Sequence, residues 1–179
     1  DRFIPASNTK LFPTAATFAT FEGLDRPDTS GGASVRIEGR DVILTGNGDA
    51  RLSSAADCKV DCLAELADAV AARTKRVGDV IGDDTLFPDQ RWSLGMSWNN
   101  IPSPYGTAIS ALTLDDNEIV LTATPGAAGT APSVALSPYY TVDNRAVTVA
   151  GGKTDLNADR LPFERVIRLT GTIAAGAAP

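Results

Sequence analysis

The sequence contains no histidine among its 179 residues. A Ser-His-Asp triad and a metal site built on histidine both need that side chain, so neither can form within this chain. Any serine chemistry here must use another base. We expect no metal site and no cofactor.

An excess of positive charge is also missing, because 16 Lys and Arg residues face 22 Asp and Glu residues and the net charge is −6. Binding to nucleic acid requires clustered basic side chains that neutralise phosphates, so we expect no nucleic-acid partner. No apolar stretch reaches the ~20 residues of a membrane-spanning helix. We expect no transmembrane segment.

Helical and strand-like patterns occupy different parts of the chain. Apolar and small residues over 7–21 predict a helix buried on most sides, with a kink or early break at Pro13, because proline removes a backbone hydrogen bond. Residues 25–32 read as a loop, after which the pattern changes to strands.

Downstream, strand-like segments dominate. Alternation at 35–37 and 41–45 predicts a hairpin, and helical spacing from Ala55 to about Arg76 predicts an amphipathic helix. Further strands are expected at 77–82, 119–124, 133–136, 146–149 and 165–169. The sequence indicates an α+β protein that is strand-rich after its first helix.

Ser7 and Lys10 form a Ser-x-x-Lys pattern at the start of the first helix. Residues at i and i+3 lie on one helical face about 5–6 Å apart at Cβ, so the Lys10 amine can reach the Ser7 hydroxyl. A neutral amine there could accept the hydroxyl proton and make the serine a nucleophile. The alternative makes Ser7 a helix N-cap and Lys10 a solvated first-turn residue.

The surrounding sequence resembles a known enzyme family. The run 3–16, which contains Pro5-Ala6-Ser7-Asn8-Thr9-Lys10, is similar to the nucleophile helix of the penicillin-binding D-alanyl-D-alanine carboxypeptidases of class C type. The resemblance continues in the family's order through most of the chain, at 46–53, 80–83, 103–112 and 140–144.

The resemblance implies a serine DD-peptidase, a carboxypeptidase or endopeptidase, that acts on peptidoglycan stem peptides in the periplasm or another extracytoplasmic space. Ser7 would attack the D-Ala-D-Ala carbonyl and Lys10 would take the proton. Penicillins and other β-lactams would acylate the same serine as covalent inhibitors. A β-lactamase or esterase that shares Ser-x-x-Lys is the enzymatic alternative.

The family assembles its site from two further motifs, Ser-x-Asn and Lys-Thr-Gly. Ser97-Trp98-Asn99 matches the first only by letters, since it precedes the segment at 103–112, and Lys153-Thr154-Asp155 lacks the glycine of the second. We therefore expect the remainder of the catalytic domain outside this chain. A non-catalytic binding or structural module is the alternative from another class.

The resemblance also implies an architecture. Residues 1–24 would be the nucleophile-helix piece of a β-lactamase/transpeptidase-like catalytic domain. Residues 25–179 would be strand-rich inserted domains, nested so that the inner part spans roughly 45–120.

Within the insert, the resemblance makes Trp98 and Tyr105 candidates for a pocket that holds the side chain of the stem peptide. Asn100 stands where relatives often carry an acid that pairs with a free amine. The alternative is that both aromatic residues simply pack within the insert.

Cys58 and Cys62 are the only cysteines. A local disulfide, two free thiols and a two-ligand metal site are the possibilities, and the last lacks partner ligands. We favour the disulfide, which suits an oxidising compartment. The acidic run 115–118 reads as a solvated turn or, alternatively, as a cation site.

Overall fold

The computed structural model of the chain describes residues 4–26 and 32–179, and has a mixed α+β fold with few helices and several sheets. The chain divides between residues 31 and 32 into two compact units. This division falls in the segment 25–32 that we predicted as a loop. Residues 27–31 of that segment, and Phe3 of the resembling run, lie outside the described residues.

The first unit carries a 3₁₀ helix, Ala6–Lys10, that continues directly into helix α1, Leu11–Thr20. Of the expected kink or early break at Pro13, the break is wrong, because α1 continues through Pro13 and the change of helix type lies one turn earlier. Pro13 is the third residue of α1, where a backbone N–H has no partner within the helix. The backbone N–H that Pro13 lacks would have had no acceptor within α1, so its absence costs the helix little stability.

The expectation that this first helix is buried on most sides is also wrong for the structure as described. Leu11, Phe12 and Phe18 are 68%, 78% and 74% exposed. The apolar pattern of a helix predicts which face is suited to burial. Burial also requires another element that packs against this face. The described residues leave this face open.

The second unit begins with the predicted hairpin, which is confirmed. Strands β1, Ser34–Glu38, and β2, Asp41–Thr45, are antiparallel, and β3, Val80–Asp83, lies parallel to β2. Helix α2 spans Leu63–Ala71 and contacts β1. It is shorter than predicted, because Cys62 is held in extended backbone by a bridge to Ser53.

The remaining strands form two sheets. Strands β4, Thr122–Thr124, and β5, Ser133–Ala135, are antiparallel. The long strand β9, Val166–Ala174, is the centre of the other sheet and pairs with three strands: parallel with β6, Thr141–Asn144, and β7, Val147–Val149, and antiparallel with β8, Asp155–Asp159.

The core of the second unit lies against β9. Leu169 and Ile173 are 1% and 2% exposed and pack with Ala123 and Ala146. The hydroxyl of Thr148 is fully buried, and its oxygen accepts a hydrogen bond from the N–H of Gly126 at 3.1 Å, as buried polar groups usually require. The packing of this core holds in place the strands that the intervening loops connect.

Candidate active site

Ser7 and Lys10, the predicted nucleophile and base, have adjacent side chains. Lys10 Nζ lies 3.5 Å from Ser7 Oγ, and both residues are exposed. In a 3₁₀ helix the side chains at i and i+3 eclipse one another, so this helix type brings the two groups together. Ser7 lies inside that helix, and Pro5 occupies the N-cap position, so the alternative that makes Ser7 the N-cap is wrong.

Ala6, directly before Ser7, has a positive φ of 45°. Residues other than glycine rarely adopt this left-handed backbone, and such conformations gather at functional sites. Nothing in the letters Pro-Ala-Ser marks this strain, because alanine gives no turn signal. The sequence therefore did not predict it.

The three residues proposed for the stem-peptide pocket lie on two neighbouring 3₁₀ turns, Trp98–Asn100 and Pro104–Gly106. Trp98 and Tyr105 are 68% and 92% exposed, so the alternative in which they pack inside the insert is wrong. The carbonyl of Asn100 accepts hydrogen bonds from the N–H and hydroxyl of Ser103. Their role toward substrate stays a prediction.

Backbone packing joins these two turns. A Cβ at Gly106 would overlap the carbonyl of Asn100, so only glycine permits this approach. The structure thus brings Asn100 and the Tyr105 turn together through main-chain contact. The nearby Ser97 hydroxyl donates to Asn99 Oδ1 at 2.6 Å, a local bond within the Ser-x-Asn letters.

A polar network that the sequence did not predict follows strand β3. Arg91 forms an ion pair with Asp84, and the Ser110 hydroxyl donates to Asp84 Oδ2 at 2.9 Å. Arg91 first, and Ser110 second, hold the pKa of Asp84 below its usual value. Trp92 Nε1 donates to the carbonyl of Gly106 at 2.7 Å, which ties this network to the Tyr105 turn.

A disulfide joins Cys58 and Cys62, with their Cα atoms 5.7 Å apart. The cysteines precede α2 instead of lying within it as predicted. Asp115, in the acidic run, accepts hydrogen bonds from Ser53 and Ser54. In the described residues, no group of three or more metal-ligating side chains forms around it.

None of the helices in the described part of the chain has the length and hydrophobicity that crossing a bilayer requires.

Comparison with known proteins shows which protein family the chain resembles. The model of the D-Ala-D-Ala carboxypeptidase 3 (S13) family matches residues 1–179. The D-alanyl-D-alanine carboxypeptidase of Actinomadura sp. (strain R39) is 35% identical over 196 residues, an alignment that covers 100% of this chain and 35% of the relative. The chain therefore spans about a third of the length of this curated relative.

The fold is also similar to a solved structure. Penicillin binding protein 4 from Haemophilus influenzae matches with a TM-score of 0.66 and 16% identity over 99% of this chain and 40% of that chain. At this identity the match shows the fold alone. The family model and the 35% identity confirm the resemblance drawn from the sequence, and the chain belongs to the D-Ala-D-Ala carboxypeptidase 3 (S13) family.

Proposed function

We propose that this chain supplies the nucleophile, Ser7, and the base, Lys10, of a serine DD-peptidase that cleaves terminal D-Ala-D-Ala bonds, or D-Ala-diaminopimelate cross-links, in peptidoglycan peptides. The observation that carries the proposal is the 3.5 Å separation of Lys10 Nζ and Ser7 Oγ in a chain of the S13 family. The Actinomadura relative is named a D-alanyl-D-alanine carboxypeptidase, which agrees with this reaction.

The proposed reaction is acyl transfer. Ser7 Oγ attacks the carbonyl carbon while its proton moves to the Lys10 amine. Collapse of the tetrahedral intermediate breaks the peptide bond, and the leaving D-alanine amine takes the proton. Water then attacks the acyl-enzyme and releases the shortened peptide.

The tetrahedral oxyanion needs two donors. We assign one to the backbone N–H of Ser7 and the other to the strand that carries Lys-Thr-Gly, in the remainder of the catalytic domain outside this chain. In this proposal residues 1–24 belong to that domain, and 25–179 are inserted domains with a nested inner part at roughly 45–120. The apolar side chains of α1 are exposed, which supports the proposal that this helix packs against that domain.

For the stem peptide, we assign the contacts to Trp98, Asn100 and Tyr105. The exposure of both aromatic rings supports this role, because an unpacked ring is free to contact a ligand. With Asn100 in place of an acid, no charge pairs with an amine at this position. We place the enzyme in the periplasm or another extracytoplasmic space, and the disulfide supports an oxidising compartment.

The test is the intact mass of the full-length protein after incubation with a penicillin. We expect a stable adduct on Ser7 that Ser7→Ala abolishes and Lys10→Ala slows by at least about 10²-fold, the lower range for loss of a general base. Ser97→Ala and Lys75→Ala are the matched controls, and both should be acylated normally. Ser97→Ala also tests the Ser-x-Asn letters.

The other functions give different results in the same experiment. Rapid turnover of the penicillin without a lasting adduct would indicate a β-lactamase or esterase. No adduct on the full-length protein would indicate a non-catalytic module. Either result would overturn the proposed peptidase.

A further inference from the structure

The second unit contains a cavity of about 530 Å³ between the β3–β4 segment and the sheet centred on β9. Its wall includes Asp84 and Arg91 from the segment after β3, and Tyr140, Asp159 and Arg160 from the region of the β9 sheet. This volume lies within the usual range for small-ligand sites, about 300–1,000 Å³. A space of this size accommodates a short peptide.

In one part of the wall the polar groups bind one another. Arg91 and Asp84 neutralise each other, and Ser110 adds a hydrogen bond to the same carboxylate. Trp92 is held by its bond to the carbonyl of Gly106. These groups shape the cavity and have little capacity left to bind a charged ligand.

The remaining charged groups of the wall are not neutralised in this way. In residues 4–26 and 32–179, the carboxylates of Glu118 and Asp159 have neither a hydrogen-bond nor an ion-pair partner. Arg160 uses only Nη1, which donates to the carbonyls of Leu161 and Glu164, both at 3.2 Å. Glu118 and Asp159 are exposed and Arg160 is half-buried, so the wall presents charged groups of both signs that a ligand can reach.

Apolar surface completes the wall. Ile101, Pro102, Ile119 and Leu121 line the same cavity, together with the Trp92 and Tyr140 rings. Arg160 lies over the Tyr140 ring at 5.7 Å, which positions the guanidinium at the wall. The lining therefore combines an apolar body with a few charged groups, as ligand sites commonly do.

We infer that this cavity binds a short zwitterionic peptide. Arg160 would pair with the peptide carboxylate, Glu118 and Asp159 would receive its amine, and its apolar part would lie on the side chains named above. A purely cationic or anionic ligand would leave one set of charges unused. The inference goes further than the proposed peptidase and does not depend on Ser7 or Lys10.

The test uses the full-length protein and calorimetric titration with three probes: L-trialanine, its N-acetyl form and its C-terminal amide. We expect each cap to weaken binding by about tenfold or more, the scale of one lost charge-assisted pair. Arg160→Gln should remove the discrimination against the amide, and Glu118→Gln/Asp159→Asn should remove the discrimination against the acetyl form. Penicillin acylation should stay unchanged in all of these variants.

Controls separate charge recognition from loop disruption. Arg160→Lys retains the positive charge and should retain discrimination against the amide, even though it weakens the bonds to Leu161 and Glu164. Glu164→Gln and Arg165→Gln change charged residues that do not line the cavity, and should bind like the unmodified protein. Equal binding of all three probes, or a uniform loss for all three in the variants, would overturn the inference. Loss of acylation alone would count against the peptidase and not against this site.

Discussion

The carboxylate of Asp115 accepts hydrogen bonds from the backbone N–H and the hydroxyl of Ser54, 61 residues earlier in the sequence, at 2.9 and 2.5 Å. Ser53 Oγ donates to the same carboxylate at 3.0 Å. Next to it, the N–H of Asp115 donates to the carbonyl of Leu52, a residue only 2% exposed. Through these hydrogen bonds, Asp115 connects the segment before the disulfide to the segment before β4.

We predict that Asp115→Asn destabilises the protein, because the amide group turns one acceptor into a donor that faces other donors. The expected loss is about 1.5–3 kcal/mol in the free energy of unfolding, the range for hydrogen bonds to a charged group. Asp116→Asn is the matched control, since Asp116 shares the left-handed backbone, with φ of 56° against 48°. Urea unfolding at pH 7 measures both, and an equal loss in the two variants would contradict the prediction.

The same carboxylate predicts a pH dependence. Hydrogen bonds from the Ser54 hydroxyl, then the Ser54 N–H and the Ser53 hydroxyl, lower the folded-state pKa of Asp115 below its usual value. The folded state thus binds a proton less readily than the unfolded state, and stability falls as the pH drops. The difference between the unmodified protein and Asp115→Asn should be constant between pH 5 and 7 and shrink below about pH 4, near the unfolded pKa. A difference that persists unchanged at pH 2 would refute this assignment.

Several elements were predictable from local pattern. Val42 and Ile43 lie in a strand of high β propensity, and the adjoining strand β1 alternates, so the hairpin followed directly. The spacing of Ser7 and Lys10 likewise placed their side chains together. Strand β8, whose sequence is Asp-Leu-Asn-Ala-Asp, was missed because it is polar and forms through pairing with β9.

Other features depend on contacts between distant segments. Helix α2 begins later than predicted because Cys62 forms a β-bridge with Ser53. The helical spacing of apolar residues does not reveal this contact. The cavity wall includes both Asp84 and Arg160, which come from distant segments of the sequence and meet at one cavity only through tertiary packing. Local patterns predict elements, whereas such sites require the tertiary arrangement.

The Cys58–Cys62 disulfide should stabilise the fold by constraining the unfolded chain. The loop-entropy relation gives about 2 kcal/mol for a closed loop of five residues. Replacing both cysteines by serine should lower the free energy of unfolding by this amount, measured with urea. Dithiothreitol should reproduce the loss in the unmodified protein and have no effect on the double variant; an effect on the variant would assign the change to something other than this bond.

Close backbone contact makes Gly46 intolerant of a side chain. Gly46 is buried, and a Cβ there would overlap the backbone of Ala111 and Leu112. Gly46→Ala should therefore cost about 1–3 kcal/mol, as overpacking does. Gly151→Ala, where a Cβ meets nothing within 4 Å, should stay within about 0.5 kcal/mol. Similar melting temperatures for the two variants would show that the 111–112 backbone moves freely.

Asn100 offers a way to test the proposed stem-peptide pocket by adding a function. Its side chain has no bonding partner in the part of the chain that the structure describes, so Asn100→Asp introduces a carboxylate on an exposed turn without removing a contact. In the full-length enzyme, kcat/KM for a D-Ala-D-Ala peptide with a free side-chain amine should rise about two- to fivefold relative to its acetylated form, since an exposed ion pair contributes up to about 1 kcal/mol.

Asn99→Asp is the neighbouring control and should leave that ratio unchanged. The gain should disappear at high salt, because exposed charges are screened there. An unchanged ratio in Asn100→Asp would remove Asn100 from the pocket, while a parallel rise in Asn99→Asp would indicate a general field effect instead of a contact at position 100.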